Sequence, residues 1–176
     1  MLFRLVAVTL LLALPLVTLS AQIDDSETLP GETVGSDFYN STYGAIGIHL
    51  SMLSGTGLSG RVTFPNRLAV QTSTFVIAIG GITHFNIGGE LQYAFTQGDG
   101  GRLFALAGVG FYSSTSDEPE KPGNRIASPF HAGAGVGYEW FTSRNLTLDL
   151  AVPITWFVEE GKVLPLPSVS MHYYFK

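Results

Sequence analysis

From Tyr43 onward the chain alternates apolar and polar residues with period two, and turn-forming residues interrupt the alternation at intervals. Period two is the period of a β-strand, because successive side chains point to opposite faces. The longest clean case is Leu146 to Val158. There Leu146, Leu148, Leu150, Val152, Ile154, Trp156 and Val158 share one face, and Thr147, Asp149, Ala151, Pro153 and Thr155 the other. The pattern predicts eight strands, at about 43–53, 57–65, 68–79, 82–96, 102–113, 128–142, 145–158 and 163–175, and no helix of useful length. Such a sheet faces a choice: a soluble sandwich buries its apolar face, whereas a membrane barrel turns that face to lipid and keeps a polar interior.

The composition of the faces decides between these. On strand four, Phe85, Ile87, Gly89, Leu91, Tyr93 and Phe95 oppose His84, Asn86, Gly88, Glu90 and Gln92; on strand six, Phe130, Ala132, Ala134, Val136, Tyr138 and Trp140 oppose His131, Gly133, Gly135, Gly137 and Glu139. Ile46, Ile48, Leu50 and Met52 oppose Ala45, Gly47, His49 and Ser51 on the first strand. Every strand histidine and charge tested this way falls on the polar face: His49, Arg61, His84, Glu90, Arg102, His131, Glu139, Asp149 and His172. The apolar faces end in aromatics, as interfacial girdles require, and the polar faces are rich in Gly, Ala and Ser, as a narrow barrel interior requires. The expected fold is all-β: an eight-stranded antiparallel up-and-down transmembrane β-barrel over 43–176, with a polar network filling its lumen.

Ahead of the barrel, residues 1–21 read as a signal peptide. One basic residue, Arg4, precedes an uncharged run from Leu5 to Leu19, and Leu19-Ser20-Ala21 resembles a cleavage site before Gln22. A retained anchor is the alternative, but the run is short of the roughly 20 residues a helical span needs. Residues 22–42 read as a flexible acidic lead. Removing Arg4 from nine basic residues leaves eight against fourteen acidic ones, which argues against nucleic acid as a partner. The chain has no cysteine, so no disulfide supports it.

With the N-terminus on the periplasmic side, Pro65-Asn66, Gln97 to Gly101 and Ser143-Arg144 form the short periplasmic turns. The longest connection, Ser114 to Ala127, then falls outside the cell. Its Asp117, Glu118, Glu120 and Lys121 make it the expected surface loop, with a ligand that the sequence does not name.

The chain resembles the small bacterial outer-membrane β-barrels of the OmpA and OmpX type over 43–176. The resemblance rests on Leu103-Phe-Ala-Leu-Ala-Gly-Val-Gly-Phe111, on His131-Ala-Gly-Ala-Gly-Val-Gly-Tyr-Glu139, and on the ending Val169-Ser-Met-His-Tyr-Tyr-Phe175. The last is similar to the C-terminal insertion signal, with Val169, Met171, Tyr173 and Phe175 as its apolar positions; Lys176 after the aromatic departs from it. The resemblance implies residence in the cell outer membrane, contact with outer-membrane lipid, and the barrel-assembly machinery as a partner.

No catalysis, cofactor or metal site is expected. A lipid A deacylase would show His-x-Ser with a nearby acid. His49-Leu50-Ser51 has the spacing, but no Asp or Glu lies between Asp37 and Glu90, and the pair points to the lumen. Ser170-Met171-His172 is a second such pair in reverse order. The four histidines sit on four strands with no close ligand pair. Gly133-Ala-Gly-Val-Gly137 keeps period two and opens no helix, so it is a strand rather than a nucleotide loop. A structural or surface-interaction role is expected; the alternatives are a lipid-modifying barrel enzyme and a soluble, lipocalin-like periplasmic barrel with its apolar face inside.

Overall fold

The computed structural model describes residues 41–98, 100–116, 126–143 and 145–175. The signal peptide, nearly all of the acidic lead and the loop residues Asp117, Glu118, Glu120 and Lys121 lie outside the described residues. Nine strands follow in order: β1 (Tyr43–Leu50), β2 (Thr56–Thr63), β3 (Leu68–Ile79), β4 (Ile82–Gly98), β5 (Gly101–Ser116), β6 (Phe130–Phe141), β7 (Leu146–Phe157), β8 (Lys162–Pro165) and β9 (Ser168–Phe175). From β1 to β8 each strand pairs antiparallel with the next, β9 pairs with β7, and β1 pairs with β9 from Gly44↔Phe175 to Leu50↔Val169, which closes the sheet.

The barrel has eight staves, because β8 and β9 are two pieces of one. Both pair with β7, β8 through Ile154↔Pro165 to Phe157↔Lys162 and β9 through Leu146↔Tyr173 to Ala151↔Ser168. The expected continuous strand 163–175 is broken at Leu166-Pro167. The cause is proline, which has no N–H to give a ladder. Pro165, Pro167 and Pro153 meet at this level, and Leu166 N bridges the gap by donating to Pro153 O at 3.0 Å.

The burial pattern is inside-out. Arg61, Arg102, Glu139, Thr147 and His172 are at most 2% exposed, while Ile48, Leu58, Val109, Val136, Leu150, Val152 and Ile154 on the outer face are exposed. Only a surrounding apolar phase makes that arrangement favourable, since each exposed apolar side chain would otherwise lose about 1.5–3 kcal/mol of burial. Tyr93, Phe95, Trp140 and Tyr173 ring the short-turn end and Phe130 and Trp156 the opposite end, all outward and exposed, as two aromatic girdles. Among the described residues strands are the only crossing elements, and their closure leaves no edge in lipid.

The wall is uneven. A crossing strand needs about 9–11 residues; β1 and β2 have eight, whereas β4 and β5 have 17 and 16. The surplus stands beyond the barrel at the long-loop end. There Phe75, Ile77 and Ile79 occupy the inward parity of β3 yet are 39%, 36% and 64% exposed, because no opposite wall exists at their height. Replacing any one of them by serine should change stability by less than about 0.5 kcal/mol, as for other solvated positions. Urea unfolding in vesicles checks this; a loss above 1 kcal/mol would place them in lipid or in a packed core.

Candidate functional site

Two layers of polar residues fill the lumen. The inner layer is built by cross-strand register. Glu139 lies opposite Arg102 on β5 and opposite Asp149 on β7, and Arg61 lies opposite Gln71 on β3. Inward parity then points all five into one space too narrow for water to separate them. Arg61 bridges Glu139 and Asp149 through its two terminal nitrogens, and its Nε donates to Gln71 Oε1 at 2.9 Å. Arg102 donates to Glu139 at 3.1 Å and to Gln92 at 2.8 Å. The Tyr174 hydroxyl lies 3.0 Å from Arg61 Nη1 and 3.2 Å from Glu139 Oε2. Opposite charges in contact offset a desolvation that would otherwise cost several kcal/mol per ion. Arg102 Nε and Nη1 and Asp149 Oδ1 have no hydrogen-bond partner among the described residues.

The outer layer was not legible as such in the sequence. The expected first strand, 43–53, ends at Leu50, and Ser51 to Gly55 turns inward as a plug across the lumen. Leu53 is fully buried among Phe104, Leu106 and Ala151, while Met52 keeps its side chain outside. The plug is held by its backbone. Ser51 O accepts from Tyr112 Oη at 2.7 Å, Gly55 N donates to the same hydroxyl at 2.9 Å, and Ser54 O accepts from Ser73. Thr56 N, at its exit, donates to Asn86 Oδ1 at 2.8 Å. Its seat is glycine: a Cβ on Gly88 would lie 2.1 Å from Ser54 O, and one on Gly110 would lie 2.4 Å from Leu53 O. A Gly-rich inner face was expected from the narrowness of the barrel; two of those glycines are needed because a loop lies against them.

The expected lumen residues divide accordingly. Arg61, Arg102, Glu139, Asp149 and His172 belong to the inner layer, and His49, Glu90 and His131 to the plug and its supports. His84 departs from the expectation: it shares their parity but stands exposed at the outer end of β4, opposite Ile77, where the lumen has ended. Val169, Met171 and Tyr173 of the C-terminal strand face outward and are exposed, and Phe175 is partly buried beside Gly44.

Neither His-x-Ser pair is joined. Ser51 Oγ accepts from Leu53 N at 3.1 Å, and Ser170 donates to Asp149 at 2.6 Å. Each histidine takes a serine from another element. His49 Nε2 lies 3.0 Å from Ser54 Oγ and 3.4 Å from Glu90, so an acid missing in sequence is supplied by β4. Serine and acid share one ring nitrogen, however, and Nδ1 is left with none to orient it, which is not a relay. His172 Nε2 lies 3.0 Å from Ser59 and its Nδ1 3.7 Å from Asp149, nearer the relay order. Ser59 is only 3% exposed and His172 0%, so no acyl carbon reaches the hydroxyl. Among the described residues no group of three His, Cys, Asp or Glu side chains could hold a metal.

No family model matches the sequence, and no curated protein matches it significantly. Solved structures do match. The N-terminal β-barrel domain of Pseudomonas aeruginosa OprF superposes with a TM-score of 0.53 at 15% identity, over 77% of this chain and 98% of that one. The fold is that of a small outer-membrane β-barrel. Yersinia pestis Ail in a phospholipid nanodisc (TM-score 0.42, 14% identity, 77% of this chain and 99% of that) and Neisserial surface protein A (0.39, 18%, 76% and 91%) also match. At 15% identity what is shared with the OprF domain is the fold.

At the long-loop end of this outer-membrane barrel, Glu159 ties two connections together. Its carboxylate accepts from Ser128 Oγ at 2.6 Å and from Phe130 N at 3.3 Å, and Glu159 N donates back to Ser128 Oγ at 3.2 Å. The Ser128 hydroxyl holds the Glu159 carboxyl below the usual carboxylate range. A carboxylate so lowered keeps the clip at neutral pH and loses it as pH falls through the lowered value.

Proposed function

We propose that the chain is a closed, structural outer-membrane barrel whose solvated end serves surface contact, and that it is neither a pore nor an enzyme. The observation that carries this is the filled lumen: a plug at one level, a paired ionic layer beneath it, and Tyr174 packed with Ala45, Tyr43 and Phe141 toward the short-turn end. An eight-stranded barrel has an interior just wide enough for side chains to fill. The lumen is occupied by paired charges and by the plug, which supports a scaffold better than a channel.

Proteoliposomes of the folded barrel should swell no faster in an isosmotic small sugar than protein-free vesicles. Swelling at a rate that scales with protein would overturn the closed-barrel reading. Contact at the surface is assigned to the 114–127 connection, on its length and charge. Deleting 117–125 should leave the heat-modifiable mobility of the barrel intact while removing binding to intact target surfaces; loss of folding instead would count against it.

A further inference from the structure

We propose that His131 is a protonation-dependent latch holding the Ser51–Gly55 plug in the mouth of the barrel. Both ring nitrogens of His131 face carbonyl oxygens. Nδ1 closes on Met52 O of the plug, and Nε2 lies 3.0 Å from Ser128 O at the end of the β5–β6 connection. A carbonyl can only accept. A neutral imidazole has one N–H and one bare lone pair, so it can satisfy one of these carbonyls and must set a lone pair against the other. The imidazolium donates from both nitrogens and satisfies both. The geometry around this side chain is complementary to the cation.

The surrounding elements support that state. Tyr112 of β5 lies 4.5 Å from the imidazole, ring to ring, with its hydroxyl between Ser51 O and Gly55 N of the same plug. Phe157 of β7 packs edge-on at 4.4 Å and shields the ring from water. From the turn after β7, Glu159 grips Ser128, whose carbonyl the ring holds, and so brings a carboxylate to the cation's side. Glu160 beside it pairs with Lys162 at 2.5 Å on the exposed surface. Across the plug, Ser54 is bonded to Glu90 of β4 and to His49 of β1, the next titratable groups inward. Among the plug's supports, then, is a serine to carboxylate contact independent of His131, beside a histidine to carbonyl contact that depends on its charge.

When the imidazolium gives up a proton, one of the two carbonyls loses its donor. The plug is then held tightly in acid and loosened toward neutral and alkaline pH. The chain has no cysteine, so Met52→Cys offers a single labelling site, on a plug residue whose side chain is already 46% exposed. A nitroxide there reports plug motion without itself titrating. In nanodiscs its mobile fraction should rise about tenfold from pH 5 to pH 8, the change expected from one hydrogen bond to a charged group. In His131→Gln, which keeps one donor and one acceptor at every pH, the rise should vanish.

An unchanged line shape in the native-ring protein, or the same rise in His131→Gln, would overturn the latch. Should the labelled protein lose its heat-modifiable form, the unlabelled barrel decides the matter through ring-nitrogen resonances. At pH 5 both nitrogens of His131 should be protonated while the Leu53 and Gly55 amides are ordered. A neutral ring under an ordered plug would refute the proposal.

Discussion

Arg61→Met should destabilise the barrel by about 3–5 kcal/mol, the usual cost of removing one partner from a buried ionic group. Methionine matches the length of the arginine stem, so the loss reflects charge and hydrogen bonds rather than a cavity. Glu139 and Asp149 are left directly opposite each other across β6 and β7, with Arg102 bonded to Glu139 but not to Asp149. Like charges paired across strands are destabilising by themselves, and here both are cut off from water. Adding Asp149→Asn to Arg61→Met should recover a large part of the loss, because the stranded charge is removed. Urea unfolding in vesicles, followed by Trp140 and Trp156 fluorescence, measures both. A cost below 1 kcal/mol, or strict additivity of the two changes, would mean that the layer is hydrated enough to do without its central cation.

The second large effect concerns the plug. Gly88→Ala together with Gly110→Ala should drive Ser51 to Gly55 out of the lumen while the wall remains. Both added methyls meet plug carbonyls well inside contact distance, and backbone cannot yield as a flexible side chain can. Overpacking of this kind costs about 1–3 kcal/mol per site. Expelling the loop relieves the two closest contacts, leaving a Cβ on Gly88 at 2.8 Å from Val109 O of the wall, and forfeits Leu53 burial and the hydrogen bonds to Tyr112, Ser73 and His131. Protease cleavage near Met52, slow in the parent protein, should become rapid, with the heat-modifiable barrel still present. Slow cleavage in the double variant would show that the strands shift to accommodate the methyls. Gly98→Ala, where an added methyl meets nothing within 4 Å, serves as the neutral control.

The faces of the strands were legible from parity because lipid outside and a narrow lumen inside impose opposite compositions at each step. The same rule let His84 be grouped with the lumen, since parity fixes a side and says nothing about height. The signal that β3 and β4 rise beyond the barrel was present: Phe75, Ile77 and Ile79 put three apolar residues on the face where Gln71 and Ser73 are polar. Proline likewise marked the break in the last stave. The plug had no such mark. Ile46, Ile48, Leu50 and Met52 carry the strand pattern past the point where the strand ends, and the glycines that seat the loop lie on separate strands. Their common level emerges only once Gly88↔Gly110 and the neighbouring registers are known.

The pairing of β1 with β9 sets the order of assembly. The other stave-to-stave pairings join strands consecutive in the chain, so each hairpin can form locally, at low entropic cost. The β1–β9 seam alone unites the two ends of the sheet, and a contact so distant in sequence comes late. Until it forms, both edge strands hold unpaired amides and carbonyls at membrane depth, at several kcal/mol for each group. An inserted but unclosed sheet is therefore a high-energy, adhesive species, and closure, rather than insertion, commits the molecule to its final state.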